Sequence, residues 1–203
     1  MSKANSSTLD TYNKNVQQYI DGTVQVTSGF QGKWIDGLLT DLPKNASILE
    51  IGSAFGRDAT YIREQGYVPD VTDASVGFVE YLRQHGFEAN WLNIVEQQPT
   101  KQYDLILACA VFLHFTDEDF TSALTNVRSG LKSDGRFAFS LKQGKGDEWS
   151  ETKLGAQRYF RYWQKFDVET ALINADMNIV DFQTTEDGKW IHVVAEKEMR
   201  DEN

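Results

Sequence analysis

Residues 47–58 read SILEIGSAFGRD and combine a short apolar run, a glycine-bearing turn and the opening of a helix. Ile48, Leu49 and Ile51 suit a buried strand, and Gly66 is placed to end the following helix. A strand that leads into a helix through such a turn brings backbone N–H groups and a helix N-terminus close to one ligand. The stretch therefore predicts a nucleotide-like ligand at the carboxyl end of a first parallel strand.

The rest of the chain alternates strand-like and helix-like patterns. We predict helices over 8–20, about 30–42, 56–66, 75–86, 117–131 and 167–175, and strands over 47–51, 67–73, 87–92, 103–111, 136–142, 179–184 and 190–196. Residues 143–149 are predicted to form a glycine-containing loop, and residues 186–189 a hairpin turn. The fold class is therefore α/β, a single doubly wound, seven-stranded, mostly parallel sheet with an antiparallel strand in a C-terminal hairpin.

The domain limits follow from the same patterns. Residues 1–7 are small and polar, which predicts a flexible tail, and residues 198–203 are predicted to form a second tail. One domain then covers 8–197 and includes N-terminal helices within 8–42.

Charge and cysteine content narrow the class of partner. The 203-residue chain has a formal net charge of −10, whereas proteins that hold nucleic-acid backbones usually present a basic face. The lone Cys109 suits a reducing compartment, no long apolar stretch is present, and the polar start is unlike a signal peptide. We expect a cytoplasmic protein with a small-molecule or peptide-like partner and no membrane or nucleic-acid contact. The oligomeric state is not readable from the sequence.

The glycine spacing of the turn discriminates between nucleotides. Gly52 and Gly56 are present, but position 54 is Ala, so the G-x-G-x-x-G pattern of dinucleotide-binding turns is absent. The phosphate-loop pattern G-x-x-x-x-G-K-[ST] is absent too. Both a nicotinamide dinucleotide and a nucleoside triphosphate are therefore disfavoured.

The turn instead resembles the first motif of the class I S-adenosylmethionine-dependent methyltransferases, which reads roughly acid-x-Gly-x-Gly-x-Gly. Glu50, Gly52 and Gly56 match that motif, whereas Ala54 departs from it at the middle glycine. The resemblance extends over almost all of residues 8–197. It implies the Rossmann-like methyltransferase fold, with S-adenosyl-L-methionine as the cofactor and small-molecule methylation as the activity.

Further cofactor contacts are implied by this resemblance. Asp73 follows Gly52 by 21 residues, and a carboxylate there can accept hydrogen bonds from the ribose hydroxyls, although an ordinary turn Asp is the alternative. Asn93 stands where the family binds the adenine amino group, but a turn Asn is nearly as compatible. The N-terminal tyrosines are predicted to close over the cofactor or, alternatively, to pack in the core. The full implied cofactor set is Tyr12, Tyr19, Gly52, Ser53, Ala54, Gly56, Arg57, Asp73, Ala74, Asn93, Ile94, Ala108 and Cys109.

Methyl transfer from a sulfonium needs alignment, exclusion of water and, for some acceptors, removal of a proton. His114 follows the fourth strand beside the presumed methyl position and is the candidate general base; a packing histidine is the alternative. No cluster with the spacing of metal ligands is present, so no metal is predicted.

The acceptor pocket is predicted to lie beyond the fourth and fifth strands. The candidate acceptor-binding residues are Phe115, Lys142, Arg158, Tyr159, Tyr162 and Trp163. The arginines and aromatics of 158–163 suit a carboxylate-bearing or aromatic acceptor, but they equally suit a lid whose arginines pair with the surplus acids. A similar segment in small-molecule members of the superfamily favours a substrate lid.

The sequence thus predicts an S-adenosylmethionine-dependent methyltransferase with a small-molecule or peptide-like acceptor. The alternative is a cofactor-binding regulator or partner subunit without catalysis, which the Ala54 departure favours slightly. A nucleic-acid methyltransferase conflicts with the acidic charge and lacks an Asn/Asp-Pro-Pro-aromatic motif.

Overall fold

The computed structural model describes residues 1–198, so residues 199–203 of the predicted second tail lie outside the described residues. The helices are α1 (Lys3–Lys14), α2 (Val16–Asp21), α3 (Gly29–Thr40), α4 (Arg57–Glu64), α5 (Val76–Gln84), α6 (Asp117–Gly130) and α7 (Lys165–Asn174), with a 3₁₀ turn at Phe112–His114. The strands are β1 (Ile48–Ile51), β2 (Asp70–Asp73), β3 (Ala89–Trp91), β4 (Tyr103–Ala108), β5 (Leu131–Lys142), β6 (Asp147–Ser150), β7 (Arg158–Arg161), β8 (Met177–Thr184) and β9 (Trp190–Lys197). None of these helices is both long and apolar enough to cross a membrane.

Seven strands form one sheet in the order β3-β2-β1-β4-β5-β9-β8. The pairs from β3 to β5 are parallel, and β9 is antiparallel to both β5 and β8. The predicted fold is therefore confirmed. The strand order reverses between β1 and β4, and their carboxyl ends together with that of β2 meet at one edge, where ligands bind in open α/β sheets.

Burial explains why the central strands read as continuous apolar runs. All four residues of β1 are buried, because helices cover both faces of the sheet. On one face Phe112, Phe120, Phe137 and Phe139 pack together, fully buried. On the other face α3 packs through Trp34 and its apolar neighbours. The two layers hold the ligand-binding edge in a fixed position.

The predicted flexible tail over 1–7 is wrong. Helix α1 begins at Lys3, because the Ser2 hydroxyl accepts a hydrogen bond from the Asn5 N–H at 3.0 Å and caps the helix. The Ser2 N–H and hydroxyl both donate to the Asp119 carboxylate, which ties the helix to α6. The small polar residues that suggested disorder are caps and buried contacts, and Asn5 is only 3% exposed. The single helix predicted over 8–20 is divided at Asn15 into α1 and α2.

A small hairpin replaces the loop predicted over 143–149. Strand β6 pairs antiparallel with β7, and α1 lies against β7. The Thr11 hydroxyl donates to the Gln157 carbonyl at 2.7 Å, and the Tyr159 N–H donates to the Thr8 hydroxyl at 3.0 Å. Helices α1 and α2 together with this hairpin therefore cover the carboxyl edge of the sheet.

Helix α7 begins two residues before the predicted Asp167 cap, and Asp167 completes a capping box with Gln164.

Candidate active site

A cavity lies at the carboxyl ends of β1, β2 and β4, beneath α1 and α2. Nine of the thirteen predicted cofactor-binding residues line it: Tyr12, Tyr19, Gly52, Ala54, Asp73, Ala74, Asn93, Ile94 and Cys109. The structure also places His114 and Phe115 in its wall. Sequence reasoning missed eight further residues of the lining: Asn5, Thr8, Leu9, Ile51, Phe78, Leu92, Ala110 and Val111. Most of these reach the cavity from α1, α5 and the segment after β4.

Four predicted cofactor-binding residues do not line the cavity. Ser53 is buried and its N–H bonds the backbone of β2, while Ala108 is fully buried within β4. Arg57 forms an ion pair with Asp58 through two hydrogen bonds of 2.9 and 3.1 Å. Gly56 has φ +84° and packs against apolar side chains of α5 and the segment after it. These residues shape and support the turn, and their contact with a cofactor stays a prediction.

Left-handed backbone conformations give the turn after β1 its shape. Gly52 has φ +70°, and a Cβ there would overlap the Val111 side chain. Ala54 takes φ +49° although alanine disfavours this region. Its N–H donates to Asp73 Oδ2 at 2.9 Å, which joins the turn to the end of β2. Strained residues of this kind concentrate at ligand sites. Within residues 1–198, four non-glycine residues have a positive φ, and three of them line this cavity or a second cavity next to it, which is described below: Ala54, Ala110 and Lys153.

Asp73 presents the central polar group of the cavity. It is 7% exposed, and its Oδ1 accepts from the Ser75 N–H at 2.8 Å while Oδ2 accepts from Ala54. Burial raises the pKa of this carboxyl from 3.8 to about 6, against the opposing effect of the backbone donors. Each oxygen retains a second lone pair, so the carboxylate can accept two more hydrogen bonds. The two neighbouring hydroxyls of a ribose could donate these two hydrogen bonds.

At the other end of the cavity Asn93 is already engaged. Its Oδ1 accepts from the Val95 N–H at 3.2 Å, and its Nδ2 donates to Asn5 Oδ1 and Met1 Sδ, both at 3.3 Å. One lone pair of Oδ1 remains for an amino donor. Helix α1 therefore closes this end, a contact between distant parts of the chain that no local sequence pattern indicates.

A hydrogen-bond network holds His114 in place. The Tyr12 hydroxyl lies 2.8 Å from His114 Nε2, and His114 Nδ1 lies 2.6 Å from the Tyr159 carbonyl. Because the carbonyl can only accept, Nδ1 carries the proton and Nε2 accepts from Tyr12. Arg158 in turn donates to the Tyr12 oxygen at 3.1 Å. Burial lowers the pKa of His114 to about 3, so the imidazole is neutral at physiological pH.

A second cavity lies against the first, and four residues line both: Tyr12, Tyr19, Ala110 and His114. Of the predicted acceptor residues, Lys142 and Arg158 line the second cavity. Sequence reasoning missed six others: Leu113, Ser150, Thr152, Lys153, Phe160 and Trp190. Several belong to the unpredicted β6–β7 hairpin, whose exposed polar strand β6 carries no strand-like apolar alternation.

The other predicted acceptor residues face elsewhere. Phe115 lines the first cavity, and Tyr159 contributes its carbonyl to His114. The Tyr162 hydroxyl donates to Glu148 Oε1 at 2.6 Å within the hairpin. Trp163 is buried against Phe120, with ring centroids 4.2 Å apart. These four residues do not line the second cavity, and their contact with an acceptor stays a prediction.

Two acidic groups at the first cavity favour their neutral forms, the Glu50 carboxyl beneath the turn and the Cys109 thiol in the cavity wall. Glu50 is 3% exposed, and burial with a neighbouring Asp58 raises the pKa of its carboxyl well above the usual value. Burial likewise raises the pKa of the Cys109 thiol, which accepts a hydrogen bond from Gln31 Nε2 at 2.9 Å. A high thiol pKa opposes a nucleophilic role, so Cys109 is an inert part of the wall.

Sequence comparison relates part of the chain to methyltransferases. The sequence profile described as a methyltransferase domain matches residues 49–137, which span the turn, Asp73, Asn93 and His114. The match covers somewhat less than half of the chain. A malonyl-[acyl-carrier protein] O-methyltransferase of Acetivibrio thermocellus is 28% identical over 135 residues, which are 64% of this chain and 47% of that relative. The chain thus spans about half the length of the curated relative it matches.

Solved methyltransferase structures share the fold. A TehB-like SAM-dependent methyltransferase from Corynebacterium glutamicum superposes with a TM-score of 0.69 at 20% identity, covering 93% of this chain and 99% of that one. A magnesium protoporphyrin IX methyltransferase from Synechocystis, solved with bound SAM, gives 0.71 at 12% identity and covers 97% and 98%. At these identities the similarity establishes the fold.

A substitution at Ala54 tests whether this residue lies against the ligand. We expect Ala54→Gly to tighten S-adenosylhomocysteine binding a few-fold, because the methyl group in the cavity wall is removed. Stability should change by less than about 1 kcal/mol, since relief of the left-handed backbone is offset by the greater freedom of glycine in the unfolded chain. Titration calorimetry and urea denaturation measure both quantities. Asp176→Gly is the control, because it relieves a similar φ of +52° away from the cavity and should leave binding unchanged; equal tightening in both variants would contradict the assignment.

Proposed function

We propose that the chain catalyses S-adenosylmethionine-dependent methyl transfer to a small-molecule or peptide-like acceptor. The observation that carries this proposal is the Asp73 carboxylate at the tip of β2, bonded to the turn after β1 and facing a cavity that adjoins a second one. The match of residues 49–137 to a methyltransferase domain supports it. The two adjoining cavities supply one place for a cofactor and another for an acceptor.

The first cavity has groups that match the adenosine part of the cofactor. When bound, S-adenosylmethionine supplies an electrophilic methyl group on a sulfonium. Asp73 would accept hydrogen bonds from the ribose hydroxyls, and the backbone of Gly52 and Ala54 would form the wall beside it. Asn93 and Ile94 would hold the adenine.

Tyr12 and Tyr19 shield the junction of the two cavities. Their ring centroids are 5.4 Å apart in an edge-to-face arrangement, and Phe78 lies 5.4 Å from Tyr19. These rings exclude water, and their faces favour a cation by electrostatic attraction to the ring quadrupole. Since both tyrosines also line the acceptor cavity, they align the acceptor with the cofactor.

We propose that His114 positions Tyr12, although its location also allowed the general base predicted from the sequence. A general base works best with a pKa near the operating pH, whereas that of His114 is lowered to about 3 and both ring nitrogens are engaged. We expect His114→Asn, which keeps an amide donor towards the Tyr159 carbonyl, to lower kcat/KM about tenfold or less. A general base contributes about 10²–10⁴-fold.

The pH profile distinguishes the two roles of His114. For a positioning residue, kcat/KM of the native enzyme shows no inflection that His114→Asn removes. A loss above a hundredfold together with an inflection that disappears in the variant would contradict the positioning role. Tyr12→Phe is the matched variant, because it removes the hydroxyl that His114 holds and should give a loss of similar size.

Two measurements test the proposed activity. Titration calorimetry should detect binding of S-adenosylhomocysteine, and incubation with methyl-labelled S-adenosylmethionine and a panel of metabolites and peptides should label a member of the panel. Absence of binding at about 1 mM, a free energy near −4 kcal/mol, would exclude the proposal. Binding without labelling would favour the second candidate, a cofactor-binding regulator, which the occupied nitrogens of His114 and the alanine at position 54 support.

A further inference from the structure

Three cationic side chains line the second cavity: Arg158, Lys142 and Lys153. Within residues 1–198, none of their charged nitrogens lies within 4.0 Å of a carboxylate. Glu148 acts on Lys142 only from a longer distance, and its Oε1 accepts from the Tyr162 hydroxyl. A chain with a net charge of −10 thus keeps a cluster of cations without a paired acid.

Arg158 is the most informative member of this cluster. It is 5% exposed, its two terminal nitrogens donate to the neutral Tyr12 hydroxyl and Thr152 carbonyl, and its Nε has no hydrogen-bond partner. By contrast Arg161, three residues later, pairs with Asp117 at 3.0 Å. Burying a charge without a counter-ion is costly, and a guanidinium with an open donor is suited to an anion. The sequence left two roles open for these arginines, binding of an anionic acceptor or pairing with an acid. Arg161 pairs with an acid, whereas Arg158 is left free to bind an anion.

The lysines respond to the same unbalanced charge. Burial, followed by repulsion from Arg158, lowers the pKa of Lys153 to about 8. Burial also lowers the pKa of Lys142, and Arg158 adds to the shift. Lys142 Nζ lies 4.2 Å from the Phe160 ring centroid and Lys153 Nζ 3.9 Å from that of Tyr19, so aromatic faces give partial compensation without a negative charge.

We infer that Arg158, Lys142 and Lys153 form the subsite for a compact anionic group, a carboxylate or a phosphate, on the methyl acceptor. This inference rests on the proposed function, because the cavity shares Tyr12, Tyr19 and Ala110 with the cofactor cavity. These three positive charges favour an anion in this cavity, although the molecule as a whole is acidic. The walls formed by Leu113 and Trp190 provide apolar contact for the rest of the acceptor.

Anion titrations test this subsite without knowledge of the acceptor. The protein, with and without S-adenosylhomocysteine, is titrated with inorganic phosphate and separately with acetate at constant ionic strength, and tryptophan fluorescence reports binding because Trp190 lies in the cavity. We expect saturable binding that is at least about tenfold weaker in the double variant Lys142→Gln/Lys153→Gln, since two charged hydrogen-bond donors to the anion are removed. This variant leaves the buried Arg158 in place and avoids the risk of unfolding.

Lys145→Gln is the matched control, because Lys145 is an exposed lysine of the adjacent loop and should leave the affinity unchanged. The anion that binds more tightly identifies the acceptor group as phosphate or carboxylate. No saturation in the native protein, or equal affinity in the double variant, would overturn the subsite. Binding of S-adenosylhomocysteine without the anion rejects the subsite alone, whereas anion binding without S-adenosylhomocysteine supports the subsite and rejects the methyltransferase proposal.

Discussion

Asp73→Asn weakens S-adenosylhomocysteine binding by about a hundredfold, because two hydrogen bonds from the ribose hydroxyls to a charged acceptor are replaced by weaker ones. The amide has the shape of the carboxyl, but its one oxygen can accept from either Ala54 or Ser75, so the other N–H loses its acceptor and we expect a loss of stability of about 1–3 kcal/mol. Titration calorimetry measures the effect, and circular dichroism checks that the fold is retained. An affinity within threefold of the native value would remove Asp73 from the cofactor site.

The pH dependence of binding provides a second readout for Asp73. Its pKa is raised to about 6 in the unliganded protein, and ribose donors favour the ionised form. The affinity is therefore full above pH 6 and falls as the pH is lowered through about 6, and Asp73→Asn should remove this dependence. The sign for stability is opposite: because burial favours the protonated form, the contribution of Asp73 to stability is present below pH 3.8 and lost as the pH rises through about 6.

Gly56→Ala destabilises the protein by about 3 kcal/mol, the second large effect. Gly56 has φ +84°, and an added Cβ would lie 2.8 Å from two Phe87 ring atoms and 3.0 Å from a Leu82 methyl. Since Gly56 does not line the cavity, the folded fraction should bind S-adenosylhomocysteine with native affinity. Urea denaturation and calorimetry separate stability from binding.

Gly86→Ala separates the two causes of this destabilisation. Gly86 has φ +82°, and no atom lies within 4 Å of an added Cβ. The loss of stability in Gly86→Ala therefore comes from the left-handed backbone alone, and we expect it to be about 1 kcal/mol. A Gly56→Ala variant as stable as Gly86→Ala would contradict the packing argument. A selective loss of cofactor affinity in Gly56→Ala would instead restore Gly56 to the ligand contacts.

The sequence was informative wherever a local pattern determines structure. Continuous apolar strands, capped helices and the turn after Ile51 predicted the sheet, and the distance from Gly52 to Asp73 predicted the carboxylate at the tip of β2. Where tertiary contacts decide, prediction failed. Asn5 reaches Asn93 only because α1 folds over the cavity. The same limit applies to the motif itself, in which Gly56 supports the turn without reaching the cavity.

The acceptor side was the least predictable, for a physical reason. Arg158 and Arg161 look equivalent in sequence, yet their backbone positions in β7 bury one and pair the other with Asp117. Lys153 joins Arg158 through a hairpin whose exposed strand has no hydrophobic alternation. His114 lines the cavity, but its burial determines its protonation state and only the structure gives that burial.

A crystal structure of the protein grown with S-adenosylhomocysteine tests the central claim most directly. We predict ribose hydroxyls within hydrogen-bond distance of Asp73 and the adenine beside Asn93 and Ile94. The sulfur should lie near Tyr12 and Tyr19, facing the cavity that Arg158 lines. A ligand bound outside the cavity at the ends of β1, β2 and β4, or a cavity that stays empty at saturating ligand, would contradict the account.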